Sequence, residues 1–228
     1  MNIVLTNDDG YDAPGLAAAF EALQSLGRVH VVAPRTERSA CSHTITLNRS
    51  IAVERIDHPT LGLVHAVDGT PADSVRLAFA SLVDKPIDLV VSGINRGANA
   101  GVDIYYSGTI AGAREGAFLG IPAVAISQAI RADVETDWSA ARDVAAQLVK
   151  PLLAERMPGL GFWNINLPAP IPPDPMHHVR RVPAASHPMP MSFEWEESDD
   201  GRMMSFDYGA SYWLREVTEP SEIGRAHV

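Results

Sequence analysis

Three short stretches of this 228-residue chain carry oxygen-bearing side chains where loops leave predicted strands. They are Asn7-Asp8-Asp9-Gly10, Arg38-Ser39 and Ser92-Gly93-Ile94-Asn95-Arg96-Gly97. In the first stretch, two adjacent carboxylates directly follow the apolar segment 2–6. Adjacent carboxylates repel each other unless a proton or a cation lies between them, and a divalent cation that prefers oxygen ligands satisfies both. The alternative is a simple turn, because Asn, Asp and Gly are turn formers.

Ser39 and Asn95 would extend the acid pair to four oxygen ligands. Taken alone, Ser39 would be interpreted as a solvated loop residue. Together, two carboxylates, a hydroxyl and an amide carbonyl balance a 2+ charge and leave further coordination positions open to water and phosphate. This set predicts metal-assisted hydrolysis, in which the cation polarises a phosphoryl oxygen and lowers the pKa of a bound water.

An anion site is predicted where Ser107-Gly108-Thr109 opens a helix. Free N–H groups at a helix N-terminus attract anions, although Ser and Thr are also common caps for structural reasons. Arg35 and Arg38 could likewise contact phosphate, or they could be ordinary surface charges.

The elements that must position these residues alternate between strand and helix. Thr70-Pro71-Ala72-Asp73 has the composition of a helix start, and residues 44–56 have a loose strand-like alternation. Strands are predicted at 2–6, 29–33, 87–91 and 121–126, and helices from about 12, from 70, over 109–119 and over 137–153. This alternation predicts an α/β fold with a doubly wound, mostly parallel sheet. Ligands of such sheets bind beyond the carboxyl ends of the strands.

After about residue 155 the composition changes. Eight prolines between Pro168 and Pro190 exclude a continuation of the parallel sheet. We expect an extended excursion with short hairpin strands near Ser192–Trp195 and Met203–Tyr208. The whole chain is then a single domain, 1–228, with a catalytic core at 1–155 and a proline-rich segment at 156–228.

Composition and net charge limit which binding partners and which cellular compartment are expected. A net charge of −10 argues against a nucleic-acid backbone as partner. Cys41 is the single cysteine, so no intrachain disulfide can form and secretion is not indicated. There is neither a long apolar run nor an N-terminal signal core. We expect a cytoplasmic protein with no membrane and no nucleic-acid partner.

Six motifs, in order over about residues 1–170, resemble those of SurE-type nucleotidases, the stationary-phase survival proteins. The motifs are Asn7-Asp8-Asp9-Gly10 with Ala13-Pro14-Gly15-Leu16, Ala33-Pro34-Arg35 with Glu37-Arg38-Ser39 and Thr46-Leu47, Val67 to Asp73, Val91-Ser92-Gly93-Ile94-Asn95, Tyr106-Ser107-Gly108-Thr109, and Asn164-Ile165-Asn166-Leu167-Pro168.

The resemblance implies a Rossmann-like core and a 5′-nucleotidase, a metal-dependent phosphatase of nucleoside 5′- and 3′-monophosphates that in some members also trims short polyphosphate. It implies one divalent cation per subunit, Mg²⁺ or Mn²⁺, held by Asp8, Asp9, Ser39 and Asn95. Asp8, Asp9 and Asn95 are the expected catalytic residues. Phosphate contacts are expected from Asn7, Ser39, Ser107, Gly108 and Thr109. Members exchange C-terminal elements between subunits, so a homodimer or homotetramer is expected.

The chain departs from the family after Tyr212-Trp213, where members continue into an Asp-rich turn and a final strand. Here residues 214–228 contain no such strand, which predicts altered assembly. Cys41 is interpreted as a packing residue, and His177-His178 as surface or hairpin residues whose side chains would diverge on a strand. Trp195, Tyr212 and Trp213 are interpreted as packing or oligomer contacts.

One alternative mechanism and two alternative functions remain open on sequence grounds. A covalent aspartyl-phosphate route is less favoured, because such phosphatases carry their acids as Asp-x-Asp. A receiver-like regulatory module that binds magnesium would be about half this length and would need an acceptor aspartate on a later strand, where this chain has Asn95. A nucleotide-binding module without catalysis would draw on the glycine-rich segment 93–108, yet no Gly-x-Gly-x-x-Gly follows the first strand.

Overall fold

The computed structural model describes residues 1–155, 159–184, 192–200 and 202–208. Its contacts divide the chain into two units. The first unit comprises Met1–Asn99 and Ile104–Arg180, and the second comprises Ala100–Asp103 together with the described residues from Arg181 onward. The predictions for Tyr212, Trp213 and 214–228 lie outside the described residues.

Seven strands form the sheet of the first unit, in the spatial order β3-β4-β2-β1-β5-β6-β7. All neighbouring pairs are parallel except β3 and β4, which pair antiparallel at one edge. The strands are β1 (Asn2–Thr6), β2 (Arg28–Pro34), β3 (Val53–His58), β4 (Gly62–Val67), β5 (Leu89–Arg96), β6 (Ala123–Gln128) and β7 (Trp163–Leu167). The predicted doubly wound, mostly parallel sheet is confirmed.

Helices cover both faces of this sheet, and β1 shows why. Ile3 and Leu5 point into one apolar core, and Val4 between them points into the other, because successive side chains of a strand face opposite sides. The helices are α1 (Pro14–Leu23), α2 (Pro71–Leu77) with a π-helical turn at Ala78–Leu82, α3 (Asp103–Tyr106), α4 (Gly108–Phe118) and α5 (Trp138–Leu153). Helices α1 and α5 supply the first core, and α2 and α4 the second.

The start of α2 follows the sequence prediction closely. Thr70 is the N-cap, Pro71 is the first helical residue, and the side chains and backbone amides of Thr70 and Asp73 exchange hydrogen bonds as a capping box. In the same helix, the Asp73 carboxylate also accepts hydrogen bonds from the amide (2.8 Å) and the hydroxyl (2.7 Å) of Thr46. The segment 44–50, predicted as extended, is therefore held to the start of α2 and forms no strand.

A 3₁₀ turn, Pro175–His178, contains the two adjacent histidines. The expectation that they lie on a strand with diverging side chains is wrong, because Pro175 opens a helical turn here. His177 is exposed and lies 3.3 Å from the Asp174 carboxylate, so its interpretation as a surface residue is confirmed.

The second unit contains the predicted hairpin, formed by β8 (Phe193–Glu197) and β9 (Met204–Tyr208). The strands pair antiparallel with Trp195 opposite Phe206 and Glu197 opposite Met204. Within the part of the chain that the structure describes, no helix is long and apolar enough to cross a membrane.

Candidate metal centre

Asp8 lies at the carboxyl end of β1 and is almost completely buried, with 5% of its surface exposed. Its Oδ1 accepts a hydrogen bond from the Thr109 hydroxyl, and the carboxylate also accepts one from the Thr109 backbone amide. Burial raises the pKa of Asp8 to about 6, and the neighbouring Asp9 adds to this although the Thr109 hydrogen bonds oppose it. Burial thus disfavours the ionised form of this carboxylate, which an adjacent positive charge would stabilise.

Asp9 occupies the next position and is fixed by a different strand. Its Oδ2 accepts a hydrogen bond from the backbone amide of Arg96 at 3.0 Å. Burial again raises the pKa, with Glu37 acting in the same direction and the hydrogen bond from Arg96 against it. Two adjacent acids with raised pKa values are what a bound divalent cation would relieve.

The loop after β2 reaches this centre through its backbone. The Arg38 amide donates to the Asp8 carbonyl at 2.7 Å, which places Ser39 one residue from that contact. Ser39 itself is exposed, and its hydroxyl donates to Glu37 Oε1 at 2.6 Å. The loops that carry Asp8 and Ser39 are therefore joined, and the Ser39 oxygen retains lone pairs for a ligand.

The two arginines of this loop are engaged by carboxylates outside the centre. Arg35 forms an ion pair with Glu54, and Arg38 donates to Asp68 at 3.1 Å. Of the two sequence interpretations, these contacts favour surface charges over phosphate contacts for Arg35, whereas Arg38 is only partly exposed.

Asn95 lies near the end of β5, next to the residue whose amide binds Asp9. Its side-chain nitrogen donates to the Gly97 carbonyl at 2.7 Å, so the amide group is oriented and Oδ1 is left to accept from or coordinate a ligand. The strand reaches this point through Gly93, which has φ +130° and whose Cβ, if present, would collide with the Ile126 carbonyl. A side chain at Gly93 would displace the segment that carries Asn95.

The N-terminus of α4 lies directly against Asp8. A Cβ on Gly108 would lie 2.9 Å from the Asp8 Cβ and 2.8 Å from Cys41 Sγ, so only glycine permits this approach. Ser107 caps the helix by accepting from the Ile110 amide at 3.1 Å. The structure therefore brings Ser107, Gly108 and Thr109 to Asp8. The Thr109 amide donates to Asp8 and the Ile110 amide to Ser107, so the Gly108 amide is the donor of this first turn that could bind an oxyanion.

Asn7 supports the turn from within. It is fully buried, and its side-chain nitrogen donates to the Gly10 carbonyl at 2.8 Å. Its Oδ1 has no hydrogen-bond partner among the described residues. This hydrogen bond braces the turn that carries Asp8 and Asp9, and the contact of Asn7 with phosphate stays a prediction.

Asparagines on β7 hold the loop that follows β5, a relationship that sequence reasoning missed. The Asn164 and Asn166 side chains both donate to the Asn99 carbonyl, at 2.8 and 3.1 Å, and Asn166 Oδ1 accepts from the Asn99 amide at 2.8 Å. Their i, i+2 spacing places both on one face of the strand. The sequence feature that could have indicated this contact is the alternation Asn164-Ile165-Asn166.

A second missed cluster lies where the Ser39 loop crosses α4. Glu115 is buried and accepts hydrogen bonds from His43 at 2.8 Å and from Arg76 at 2.9 Å, and His43 stacks on Phe118. Nearby, burial raises the pKa of the Cys41 thiol to about 11. A protonated thiol is a poor nucleophile, which agrees with the interpretation of Cys41 as a packing residue.

The donor set fits a hard divalent cation. Asp8, Asp9, Asn95 and Ser39 offer carboxylate, amide and hydroxyl oxygens, which suit Mg²⁺ and Mn²⁺. Among the described residues, no group of three or more His, Cys, Asp or Glu side chains is arranged to hold a metal. The predicted ligand set combines the two acids with the neutral oxygens of Ser39 and Asn95, and it stays a prediction.

Comparisons with known proteins agree with these observations. Residues 3–187 match the family model described as survival protein SurE. A 5′-nucleotidase SurE from Rhodopirellula baltica is 39% identical over 224 residues, which cover 98% of this chain and 86% of that one. A putative 5′-nucleotidase from Synechocystis is 41% identical, covering 98% and 93%. The crystal structure of the SurE protein from Aquifex aeolicus superposes with a TM-score of 0.76 at 34% identity, covering 95% of this chain and 86% of that one.

Proposed function

The chain belongs to the SurE family, and from this we propose that it is a 5′-nucleotidase that hydrolyses nucleoside 5′- and 3′-monophosphates to nucleoside and inorganic phosphate. The observation that carries the proposal is the meeting of Asp8 with the N-terminus of α4. The buried carboxylate would bind the cation, and the helix start would bind the phosphoryl group. The two are joined by a hydrogen bond from the Thr109 hydroxyl to Asp8. Cleavage of short polyphosphate, which the family resemblance also implies, would use the same centre.

Nucleotidases of this family depend on a metal. We propose one divalent cation per subunit, Mg²⁺ or Mn²⁺, held by Asp8, Asp9, Ser39 and Asn95. When bound, it would polarise a phosphoryl oxygen and lower the pKa of a coordinated water. The raised pKa values of Asp8 and Asp9 support this assignment, because a cation stabilises the ionised form of both.

Each residue of the proposed site would have its own role in hydrolysis. Asp8, fixed by Thr109, and Asp9, fixed by the Arg96 amide, would orient the attacking water. The 107–109 turn would bind the non-bridging oxygens, where charge accumulates during transfer, and the Gly108 amide would be its backbone donor. Asn95 would hold its ligand in place through the anchored amide group. Asn7 would brace the loop through the Gly10 carbonyl and contribute to phosphate binding.

The two non-catalytic alternatives have less support. A receiver-like module is disfavoured by the seven-stranded sheet and by Asn95 at the position where an acceptor aspartate is needed. A binding module without catalysis does not account for the buried Asp8 and the half-buried Asp9, whose pKa values are both raised, beside the start of α4.

Assembly is proposed from the hairpin of the second unit. Phe193, Trp195, Met204 and Phe206 are each more than half exposed, and the pairing of β8 with β9 places them on one face. An exposed apolar face of this kind marks an interaction site. We propose that residues 156–228 of this single domain supply subunit contacts in a homodimer or homotetramer. The single cysteine supports a cytoplasmic location.

Phosphate release tests the function directly. Chelator-stripped protein is incubated with a panel of nucleoside monophosphates, with and without added Mn²⁺ or Mg²⁺. We expect release that requires the metal. No release with either metal from a folded sample would overturn the proposal.

A further inference from the structure

A groove leads away from Asp9. Its first part is a cleft of about 340 Å³, lined by the loop from Asp9 to Gly15, by Arg35 and Glu37 from the loop after β2, and by Arg96 and Trp138. A second cleft, of about 390 Å³, shares Pro14, Arg96 and Trp138 with the first and continues along residues 130–136. Both volumes fall within the range of small-molecule sites. We call the two clefts together the Asp9 groove.

The position of the groove relates it to catalysis. Of the eight residues assigned above to metal or phosphate, Asp9 is the one that lines it. A phosphoryl group bound between Asp8, Asp9 and the start of α4 is attached to the rest of the substrate, which needs its own binding site. The Asp9 groove begins at the reacting end and runs outward, so it is placed for the leaving group.

The charges in the groove favour a neutral leaving group. The first cleft combines Arg35 and Arg96 with three acids, Asp9, Asp12 and Glu37. Arg35 is already paired with Glu54, and Arg131 in the second cleft is paired with Asp133 through two hydrogen bonds of 3.1 and 2.7 Å. A polyphosphate chain would need several available cations along its path, whereas a nucleoside would not.

Trp138 gives the groove a fixed aromatic wall. The residue begins α5 and lines both clefts. Its ring lies against Gly15, where a Cβ would approach two ring carbons at 2.8 and 3.0 Å. A held indole face suits stacking of a nucleobase. In the half of the groove that contains Asp9, the exposed Asp12 carboxylate lies 3.1 Å from His58 Nε2 through Oδ1. Its remaining lone pairs can accept a hydrogen bond from a ribose hydroxyl.

We propose that the Asp9 groove is the nucleoside subsite, with Trp138 stacking on the base and Asp12 accepting a hydrogen bond from the ribose. The proposal rests on the function proposed above and adds where the leaving group binds. Trp138 is then a residue that determines specificity, since every base has a π-face but a base-free phosphate ester has none.

Steady-state kinetics with three substrates tests the subsite. Trp138→Leu is compared with the wild type on AMP, on ribose 5-phosphate, which has no base, and on tripolyphosphate. We expect KM for AMP to rise about tenfold, with kcat within about twofold and KM for the other two substrates unchanged. Trp138→Phe should restore most of the AMP affinity, and Lys150→Ala, an exposed position on the same helix, should change nothing.

Equal KM increases for AMP and ribose 5-phosphate, or an increase for tripolyphosphate alone, would overturn the subsite. Adenosine binding, measured by calorimetry, gives a readout that does not need turnover. We expect wild-type protein to bind adenosine and Trp138→Leu to bind it at least tenfold more weakly. Absence of adenosine binding to the wild type would refute the subsite even if phosphate is released, and absence of phosphate release with normal adenosine binding would refute the nucleotidase alone.

Discussion

The Thr109 hydroxyl donates a hydrogen bond to Oδ1 of Asp8, joining residues 101 positions apart in the sequence. This contact fixes the buried carboxylate at the end of β1 against the first turn of α4. It links the proposed metal ligand to the proposed phosphate site. Displacement of either one would therefore shift the other.

Thr109→Val removes that hydroxyl while keeping the side-chain shape. We expect metal affinity and kcat/KM to fall about tenfold, since loss of a partner to a ligating carboxylate typically costs 10–100-fold. Titration with Mn²⁺ alongside phosphate release would measure both. Thr109→Ser retains the hydroxyl and should remain near wild type. Unchanged metal affinity in Thr109→Val would show that the contact does not position Asp8.

Asp9→Asn removes one of the two negative charges proposed to hold the cation. Metal binding should become far weaker and hydrolysis should collapse, while the fold survives because the Arg96 amide can still donate to the Asn side-chain oxygen. Metal titration and circular dichroism would separate the two effects. Asp57→Asn, an exposed change on β3, is the matched control. Full activity in Asp9→Asn would exclude the assigned metal site.

Asp8 predicts a pH dependence of stability in the metal-free protein. Its folded pKa of about 6 lies above the ordinary 3.8, so between these values the folded state binds more protons than the unfolded chain. The contribution of Asp8 is therefore fully present below about pH 4 and is lost as pH rises through about 6, on the order of 3 kcal/mol in total.

Asp8→Asn should abolish this dependence and make the metal-free protein more stable at pH 7.5, at the expense of metal binding. Denaturant unfolding at pH 5 and pH 7.5 would measure the free energy of unfolding of both proteins. Added Mn²⁺ should stabilise the wild type but not the variant at pH 7.5. An Asp8→Asn protein with the wild-type pH profile would contradict the assigned origin.

Glu115 tests the packing of the Ser39 loop on α4. Glu115→Gln removes the negative charge and one of the two acceptor oxygens, so either His43 or the half-exposed Arg76 loses its acceptor. The change should cost about 2 kcal/mol of unfolding free energy. Glu21→Gln is the control: its ion pair with Arg142 is exposed, and such pairs contribute about 0–1 kcal/mol. Thermal unfolding would compare them, and equal losses would mean that burial of Glu115 has no energetic consequence.

The exposed apolar face of the β8–β9 hairpin is proposed as a subunit contact, so a charge placed on this face should change the oligomeric state. Trp195→Lys places a charge on the apolar face of β8 and should shift the protein to a smaller species in light scattering. Glu196→Lys lies on the same strand but points to the opposite face, so it should leave the mass unchanged. A mass unaffected by Trp195→Lys would remove the hairpin from the proposed subunit contact.

Local patterns were enough to predict much of this molecule. Apolar runs predicted β1, β2, β5 and β6, and the Thr70–Asp73 pattern predicted the start of α2, because a cap and a strand core depend on a few neighbouring residues. Parallel strands end at one edge of a sheet, so Asp8, Asp9, Ser39 and Asn95 could be grouped from the order of strands and loops along the chain. Short strands with mixed composition, β4 and β7, are not singled out by the sequence.

Tertiary structure alone decided the contacts between distant segments. The Asp9 contact with the Arg96 amide and the clamp of Asn166 on Asn99 arise from strand order and register, which no local pattern encodes. Segment 44–50 has strand-like alternation, yet its backbone hydrogen bonds go to the cap of α2. The sequence by itself predicted which chemical groups could meet at the sheet edge. Which groups donate, which accept and which are buried depended on packing, because hydrogen-bond partners and desolvation are properties of the folded surroundings.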